Sequence, residues 1–442
     1  MLDTTTPSTE DEVNLLPDRS VIPPVWTRIT NLTVSHGEGS WLMTTDGQRY
    51  LDYSSGIGVA NTGHAHPRVA AAIAAQATRL LHGQQNIVYH EPGLRLHERL
   101  PRLMPGGDWA AFLSNSGAEA IEAAVKLARV ATGRPAIVAF RYGFHGRTGQ
   151  AMALTAAKDV YRAAFEPLPG SVYHADYPYC YRATGGAHNP DACTCDWEER
   201  LDLLFHQFIY PDKVAAIICE PVIGEGGYIV PPPSFWPRLR EIADRQGILL
   251  IADEVQTGFG RTGVHYWGFQ NSGVVPDIVT MAKGIGNGWP LAAVTTRREI
   301  AESLTQRIHF NTFGGNPVSM AAGLAVLDII DEDGLQENAR VVGGRLKAGL
   351  QELQTRHRLI GDVRGMGLML GAELVKDRKT KEPATEETLA VWEAMREMGV
   401  LVGKGGLFGN TLRIKPPMCI TAADVDFTLE VLDAALGRVE GA

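Results

Sequence analysis

The chain has 442 residues, of which 45% are hydrophobic and 21% charged, and its formal net charge is −9. This length suits one large domain plus a smaller one, and an acidic chain without a Lys/Arg-rich run argues against binding to nucleic acid. No apolar run approaches the roughly 18 residues that a membrane helix needs, and residues 1–20 resemble neither a signal peptide nor a transit peptide, which predicts a cytoplasmic protein without membrane contact.

The N-terminal residues predict an arm followed by antiparallel strands. Residues 1–30 are polar and then proline-bearing, so we expect them to wrap the surface. Residues 34–52 contain two turn sequences, at 37–40 and 45–48, between short apolar segments, which is typical of antiparallel strands. Helices are expected at 67–81 and 92–103.

The middle of the chain alternates between apolar strands and amphipathic helices. Strands are predicted at 110–113, 136–140, 214–219, 248–252 and 277–281, and helices at 121–131, 198–207, 234–246 and in part of 260–271. Such alternation indicates an α/β fold with a mostly parallel sheet that is covered by helices on both faces.

The C-terminal third has a different pattern. A strong helix at 318–330 is followed by predicted helices at 334–356, 386–398 and 422–437 and by strands near 361–375 and 411–415. We interpret this part as a smaller α+β domain. The predicted division is an N-terminal arm and part of the small domain at 1–66, a large domain at 67–325, and a C-terminal small domain at 326–442.

Two of the buried strands end in a charged side chain. The apolar run 249–252 leads directly into Asp253, and the run 278–282 leads into Lys283. Ligands of open α/β sheets lie beyond the carboxyl ends of the strands, and buried charges need partners. A carboxylate and a lysine at one rim suggest a cofactor that is bound by an acid on one side and an imine on the other. The alternatives are a helix N-cap for Asp253 and a surface lysine for Lys283.

Three further strand ends carry polar or aromatic residues. Ser116, Gly117 and Ala118 lie at the start of a predicted helix, which favours an anion site. A capping box between Ser116 and Glu119 explains the same residues. Phe144 lies between glycines beside His145 and is suited to stacking on a flat ring, or else to packing in the core. Glu220 and Glu225 lie in a Gly/Pro-rich loop of the kind that lines sites, or in a solvated turn.

The five cysteines do not suggest a disulfide framework. Their number is odd and the chain is large. Three of them, Cys180, Cys193 and Cys195, lie close together in the sequence near His174 and His188. A zinc site is one interpretation, but because a C-x2-C pair is missing, free or loop-bracing thiols are favoured.

Taken together, these motifs resemble the class III (ω-) aminotransferases, which have pyridoxal phosphate (PLP) fold type I. The resemblance spans residues 33–436, and its signature tracts are LIADEVQTGFGRTG at 250–263 and AKGI at 282–285. The tracts NTFGGNP at 311–317 and TLRIKPPMC at 411–419 are most similar to the branch of alanine–glyoxylate and 3-aminoisobutyrate–pyruvate aminotransferases. Ethanolamine-phosphate phospho-lyases share both of these tracts.

The resemblance implies PLP as the cofactor and a role for each matching residue. Lys283 is implied to bind the cofactor covalently and Asp253 to pair with its ring nitrogen. The other implied cofactor contacts are Gln256 near the ring hydroxyl, Val255 and Phe144 on the two ring faces, His145 and Glu220 beside them, and Ser116, Gly117 and Ala118 at the phosphate. Many relatives have Ser at position 118. Ala118 lacks the hydroxyl that would contact the phosphate, so the difference is expected to affect the affinity for PLP.

The resemblance also implies substrate contacts and a partner. Arg413 and Glu225 form the family's switch pair, in which Arg413 binds a substrate carboxylate or pairs with Glu225. Thr312 reaches the phosphate of the neighbouring subunit, which implies a homodimer, with further association to a tetramer left open. Tyr53, Ile57 and Trp26 are expected to line the substrate pocket, and no metal is expected.

The expected reaction is ping-pong transamination between an ω-amine, β-amino acid or amino acid donor and a keto acid such as pyruvate or glyoxylate. A phospho-lyase and a racemase use the same fold and stay open as alternatives. A phosphate substrate requires extra cationic groups, and the sequence shows no obvious basic cluster near the expected site. A catalytically silent PLP-fold protein is disfavoured because Lys283 and Asp253 are both present.

Overall fold

The computed structural model describes residues 19–23, 25–26, 28–183, 193, 195–306 and 309–441. Most of the predicted arm, residues 1–18, lies outside the described residues, and those described between 20 and 29 are exposed. None of the helices in these ranges is long and apolar enough to cross a membrane.

A seven-stranded sheet forms the centre of the described chain. Its spatial order is β4-β10-β9-β8-β7-β5-β6, and its strands are β4 (Trp109–Ser114), β5 (Ala136–Phe140), β6 (Val172–Ala175), β7 (Val214–Cys219), β8 (Leu249–Asp253), β9 (Ile278–Met281) and β10 (Ala292–Arg297). Neighbouring strands from β6 to β9 pair in parallel. Only β10 pairs antiparallel with both of its neighbours, so the prediction of a mostly parallel α/β sheet is confirmed.

Apolar residues on both faces explain why this sheet is buried. Along β7, Ile217 and Cys219 pack into one core cluster, while Ala216 and Ile218 pack into a second cluster on the opposite face. Alternate side chains of a strand point to opposite faces, so a continuously apolar strand needs a cover on each side. Helix α4 (Gly117–Thr132) supplies the cover on one face, and α7 (Phe235–Gln246) supplies it on the other.

A second sheet joins the N-terminal strands to the C-terminal ones. Its order is β1-β2-β3-β14-β15-β12-β11, from β1 (Val34–Glu38), β2 (Trp41–Thr44), β3 (Arg49–Tyr53), β11 (Ile360–Met366), β12 (Met369–Asp377), β14 (Val400–Gly405) and β15 (Thr411–Ile414), with β13 (Glu382–Pro383) on β12. Because β3 pairs with β14, the N- and C-terminal parts share one α+β unit, as predicted for the smaller domain. The boundaries at 66 and 325 stay predictions.

The remaining helices agree in position with the pattern of apolar residues. They are α1 (Ser55–Gly58), α2 (Pro67–Ala77), α3 (Glu91–Arg102), α5 (Gly149–Leu154), α6 (Trp197–Gln207), α8 (Arg298–Glu302), α9 (Pro317–Glu332), α10 (Leu335–Arg356), α11 (Thr385–Glu397) and α12 (Ala422–Glu440). The prediction of a helix within 260–271 was largely wrong, because only the 3-10 turn Gly268–Ser272 forms there. The strand region at 361–375 is a hairpin that turns at Gly367, whose φ is +54°.

Candidate active site

The carboxyl ends of the parallel strands meet at one rim and surround a cavity of about 530 Å³. This volume is in the range of ordinary small-molecule sites. The cavity is lined by twelve of the residues that the sequence predicted for the site, namely Ile57, Ser116, Gly117, Ala118, Phe144, His145, Glu220, Glu225, Asp253, Val255, Gln256 and Lys283.

Asp253 ends β8 and is held by three donors. Its Oδ1 accepts hydrogen bonds from the Val255 N–H at 3.1 Å and the Thr280 hydroxyl at 3.2 Å. Its Oδ2 lies 2.7 Å from His145 Nδ1. Both Asp253 and His145 are buried, so these bonds satisfy a carboxylate that would otherwise be costly in the interior.

Glu220 follows β7 and lies next to this pair. Its two oxygens accept the N–H groups of Phe144 at 2.8 Å and Gly224 at 2.9 Å. Burial raises the pKa of Glu220 to about 7; the charge of His145 lowers the pKa and that of Asp253 raises it. Glu220 therefore fixes the backbone of the Phe144 loop and takes up a proton more readily than an ordinary carboxyl group.

Lys283 begins a 3-10 turn directly after β9. Its φ is +50°, a backbone conformation that residues other than glycine adopt rarely and that is found mostly at functional sites. Burial lowers the pKa of the Lys283 ammonium group, the charges of Glu220, Asp253 and Glu225 raise it, and the net result is below the ordinary value. A lysine with a lowered pKa is available as a neutral amine, which is the form that attacks an aldehyde.

The N-terminus of α4 faces the cavity. Its capping box and its predicted anion site are compatible with each other. Ser116 caps the helix by accepting the Glu119 N–H at 3.3 Å, and Glu119 accepts the Asn115 N–H at 2.7 Å. Among the described residues, the N–H groups of Gly117 and Ala118 have no acceptor. Free N–H groups and the helix dipole attract an anion at this position.

Val255 and Phe144 lie on the walls between which a flat ring would fit. A Cβ on Gly117 would approach the Val255 methyl groups to 3.1–3.2 Å. Glycine at position 117 therefore allows Val255 to pack close to the start of the helix. The Phe144 ring packs edge-on against Tyr161 at 5.6 Å, and the Arg147 guanidinium lies over both rings. Gln256 Oε1 is buried without a donor among the described residues, so it is available to a ligand.

Arg413 on β15 binds Glu225 at the edge of the cavity. Its Nη1 donates to Glu225 Oε2, and Tyr161 donates to the other oxygen at 2.7 Å. Burial raises the pKa of Glu225, but the charge of Arg413 and the hydrogen bonds from Tyr161 and Arg413 bring it below its ordinary value. The ion pair connects the small α+β unit to the large sheet at the site.

Four predicted residues lie outside the cavity lining, namely Arg413, Tyr53, Thr312 and Trp26. Tyr53 was expected in the pocket, but alternate residues of β3 face the core and its ring is fully buried there, with its hydroxyl near the Asp424 carbonyl at 3.4 Å. Thr312 and Trp26 are exposed and lie outside the cavity lining. Ile57 does line the cavity, although its side chain is 57% exposed.

Some lining residues were missed by the sequence analysis. Arg147 lies in the turn before α5, and Tyr161 lies in a 3-10 turn after it. Neither position carries a sequence motif that points to a site. Trp289 was detectable, because it lies in the glycine-rich tract after Lys283, and the antiparallel strand β10 starts at the same rim.

Outside the cavity, the cysteines differ from expectation. Cys180 and Cys193 form a disulfide, which the odd cysteine count had argued against, and Cys195 is a free thiol beside them. The two Cα atoms lie 5.6 Å apart although 13 positions separate the residues in the sequence, a proximity that the composition could not indicate. His174 is not part of this group, since its Nε2 lies 3.3 Å from the Leu154 carbonyl, and His188 lies outside the described residues.

Comparisons with known proteins give the family of this arrangement. The family model described as "Aminotransferase class-III" matches residues 23–436. The chain belongs to the class III aminotransferases. Alanine–glyoxylate aminotransferase 2 homolog 2, mitochondrial, of Arabidopsis thaliana is 45% identical to it over 409 residues, which are 92% of this chain and 83% of that protein.

Two further comparisons agree. Alanine–glyoxylate aminotransferase 2, mitochondrial, of Homo sapiens is 41% identical over 425 residues, covering 92% of this aminotransferase and 82% of the human protein. The structure of a PLP-bound amine transaminase from an uncultivated Pseudomonas species is similar with a TM-score of 0.88 and 35% identity, covering 96% of this chain and 99% of that one. The chain is thus a PLP-dependent enzyme of fold type I that transfers an amino group between an amine and a keto acid.

The residues of the cavity fit this cofactor. The free N–H groups of Gly117 and Ala118 suit a phosphate, and the amine of Lys283 suits an aldehyde. The carboxylate of Asp253 suits a protonated ring nitrogen, because an opposite charge within about 4–6 Å favours the charged form. These three groups lie on the rim of a single cavity.

Proposed function

We propose that this aminotransferase uses Arg413 to bind the carboxylate of its keto acid acceptor, of the pyruvate or glyoxylate type, and of α-amino acid donors. The observation that carries the proposal is the Arg413–Glu225 ion pair, because Glu225 lines the cavity while Arg413 lies directly behind it. A substrate carboxylate replaces Glu225 on the guanidinium. An ω-amine or β-amino acid without a carboxylate at that position leaves the pair intact, so both substrate classes fit one site.

Lys283 and Asp253 divide the chemistry between them. PLP, when bound, supplies an aldehyde that accepts the amino group and a ring that accepts electrons from the substrate carbon. Lys283 Nζ would bind the cofactor aldehyde, and its amine would move the proton at the reacting carbon. Asp253 would pair with the ring nitrogen, and His145 keeps Asp253 oriented. Gln256 would offer its amide to the ring hydroxyl, while Val255 and Phe144 would contact the ring faces.

We also propose that the enzyme is a homodimer in which Thr312 serves the partner's phosphate site. The segment that carries Thr312 lies beside the segment 80–90, where Gln84 and Gln85 donate to the carbonyls of residues 311 and 315. Both segments expose large apolar side chains, namely Leu81 (65%), Ile87 (81%), Tyr89 (86%), Phe310 (58%) and Phe313 (64%). Exposed large apolar side chains on two adjacent segments are typical of an association surface.

The cytoplasmic location stays a prediction, since both relatives named above are called mitochondrial.

A half-reaction screen tests the proposed function. The PLP form is mixed with single amines, β-amino acids and α-amino acids, and conversion of the cofactor from its aldehyde to its amine form is followed by absorbance. We expect donors to convert the wild type fully, and pyruvate or glyoxylate to restore the aldehyde form. Lys283→Ala, as the matched control, should give no conversion on the same timescale. If no amine or amino acid converts the wild type, the proposed transamination is wrong.

A phosphate-bearing amine is the alternative substrate, as in the phospho-lyases that share the tracts 311–317 and 411–419. Burial lowers the pKa of Lys158, which the charge of Glu225 raises and that of Arg413 lowers, and burial and Arg413 lower the pKa of Lys415. Neither lysine lines the cavity, so Arg413 carries the proposal for a carboxylate rather than a phosphate. In the same screen, ethanolamine phosphate that releases inorganic phosphate without converting the cofactor would identify a phospho-lyase.

A further inference from the structure

Three cysteine side chains converge at one point away from the active site. The Sγ atoms of Cys180, Cys193 and Cys195 all lie within 4.8 Å of one another. Cys180 is buried at the start of a 3-10 turn, and Cys193 and Cys195 are half-buried immediately before α6. Two separate parts of the chain thus deliver three sulfur atoms to the same place.

A single disulfide does not use all three sulfur atoms. Cys180 pairs with Cys193, and the Cys195 thiol then lies 2.8 Å from Cys193 Sγ. A tetrahedral zinc ion, with Zn–S distances of about 2.3 Å, holds its sulfur ligands about 3.8 Å apart. That spacing is compatible with three Sγ atoms that all lie within 4.8 Å of one another. Three ligands around one ion therefore require only small side-chain shifts.

The chemistry of the group selects the ion. Thiolates are soft ligands that prefer Zn²⁺ or Cu⁺ to Mg²⁺ or Ca²⁺. An ion also has a path of entry, because Cys195 lines a surface cleft of about 390 Å³. Asp176 and Asp196 in this cleft pair with the arginines that line it, Arg141 and Arg200 among them. Two of the ligands, Cys193 and Cys195, are separated by one residue and act as a chelating pair, and Cys180 comes from the facing turn.

We propose that the reduced forms of Cys180, Cys193 and Cys195 bind one thiophilic cation, Zn²⁺, with a water molecule in the fourth position. Two molecules of a small thiol reduce the Cys180–Cys193 disulfide, which yields two cysteine thiols and one external disulfide. The ion then displaces the three thiol protons. The disulfide and the zinc-bound form exclude each other because each uses Cys180 and Cys193.

The position of the group indicates what a bound ion does. Tyr179, the residue before Cys180, donates its hydroxyl to Glu373 and packs edge-on against Tyr142 at 5.7 Å between ring centroids. Tyr142 is two residues from Phe144 in the wall of the cofactor cavity. The ion therefore fastens the segment behind this wall. Since only the folded chain presents the three ligands together, binding raises the melting temperature of the enzyme.

Cobalt titration of the PLP-loaded, fully reduced enzyme tests this proposal. Co²⁺ replaces Zn²⁺, and its thiolate-to-metal charge-transfer band is measured as a difference spectrum against the same PLP-loaded enzyme without metal, because the cofactor absorbs in the same region. We expect one Co²⁺ per chain, together with a higher melting temperature. Cys195→Ser should lose both effects, whereas Cys419→Ser, a half-buried thiol elsewhere in the fold, should keep both. Circular dichroism establishes that each variant is folded, and Cys180→Ser provides a second ligand variant.

Two results would overturn the proposal. One is a reduced wild-type enzyme that shows no charge-transfer band at stoichiometric Co²⁺. The other is Cys195→Ser or Cys180→Ser binding Co²⁺ with the stoichiometry and affinity of the wild type. In either case the three sulfur atoms act only as a disulfide and a neighbouring thiol. Zinc measured by elemental analysis after purification under reducing conditions, at about one ion per chain, would support the same site independently.

Discussion

His145 Nδ1 donates a 2.7 Å hydrogen bond to Asp253 Oδ2, and both side chains are buried beneath the cofactor cavity. Burial lowers the pKa of His145, but the hydrogen bond and charge of Asp253, with the charge of Glu220, raise it above the ordinary value. His145 therefore takes up a proton more readily than an ordinary imidazole. The same hydrogen bond fixes the orientation of the Asp253 carboxylate in the wall of the cavity.

Replacing Asp253 by Asn should therefore remove the charge while preserving the shape of the site. We expect kcat to fall by about 100-fold or more, because a preorganised charge at the reacting system is lost, with PLP still bound through Lys283 and the phosphate site. The measurements are kcat and the PLP content of the purified variant. Thr280→Val, which removes one neutral hydrogen bond to Asp253, should cost far less activity. A variant that keeps wild-type kcat would contradict the role of Asp253.

The Arg413–Glu225 pair leads to a prediction about substrates. Arg413→Ala should raise KM for keto acids and α-amino acids by about 10-fold or more, because a charge-assisted hydrogen bond contributes about 1.5–3 kcal/mol. KM for simple amines should change far less. Lys404→Ala is the control. The hydrogen bond that the structure describes between Arg413 and Lys404 goes to the backbone oxygen of Lys404, which the substitution leaves in place. Equal losses for amines and keto acids would show that Arg413 has a structural role only.

The strand ends of the large sheet were predictable, since apolar runs ending in polar residues define both the strands and the rim. The strands β6, β10 and β14 were not, because they are short or lie among turn residues, and their pairing partners decide their conformation. Asp253 and Lys283 could be predicted from the residues themselves. Arg413 and Glu225 required the family resemblance, because their contact joins residues 188 positions apart.

Other features depended on tertiary structure that sequence patterns do not contain. Tyr53 resembled a pocket residue, but β3 points it into the core. Tyr161 joins the site through its hydrogen bond to Glu225, which lies 64 positions away in the sequence. Cys180 and Cys193 pair although 13 positions separate them. In each case the deciding interaction is between residues that are distant in the sequence.

Ala118 lies at the first turn of α4, where its Cβ faces the cavity without a polar contact. Ala118→Ser adds a hydroxyl beside the free N–H groups, so we expect a new hydrogen bond to the phosphate worth about 1 kcal/mol and a Kd for PLP lower by about fivefold. The measurement is equilibrium dialysis of the apoenzyme with PLP. Ala120→Ser on the buried face of the same helix is the control, and it should lower stability without improving affinity. An unchanged or higher Kd in Ala118→Ser would count against phosphate binding at this helix.

Glu254 follows Asp253 directly but faces away from the cavity. It is fully buried, and it accepts hydrogen bonds from the Thr257 hydroxyl at 2.6 Å and from the N–H groups of Gly268 and Phe269 at 2.9 and 2.8 Å. Burial raises the pKa of Glu254 from 4.5 to about 7, although these hydrogen bonds oppose the rise. Glu254 therefore holds the 254–269 loop in place and carries a titration into the neutral range.

The raised pKa of Glu254 predicts how stability depends on pH. Because the folded chain binds the proton more tightly than the unfolded chain, the stability from this group is complete below pH 4.5 and is lost as the pH rises to about 7. The loss amounts to about 3 kcal/mol for such a shift. Since Gln does not titrate, the free energy of unfolding of the wild type relative to Glu254→Gln should fall by that order between pH 4.5 and 8.

Urea unfolding of both proteins across this range measures the difference. Glu337→Gln is the control, because Glu337 is exposed and its pKa is lowered by the hydrogen bond from Arg340; its difference from the wild type should stay nearly constant above pH 5. In Glu254→Gln the amide group faces a backbone donor at every pH, so the resulting loss of stability does not depend on pH. The test uses only the pH dependence of the difference and is therefore unaffected by this loss. A wild-type-minus-Glu254→Gln difference that is flat from pH 4.5 to 8 would mean that Glu254 stays ionised in the folded chain.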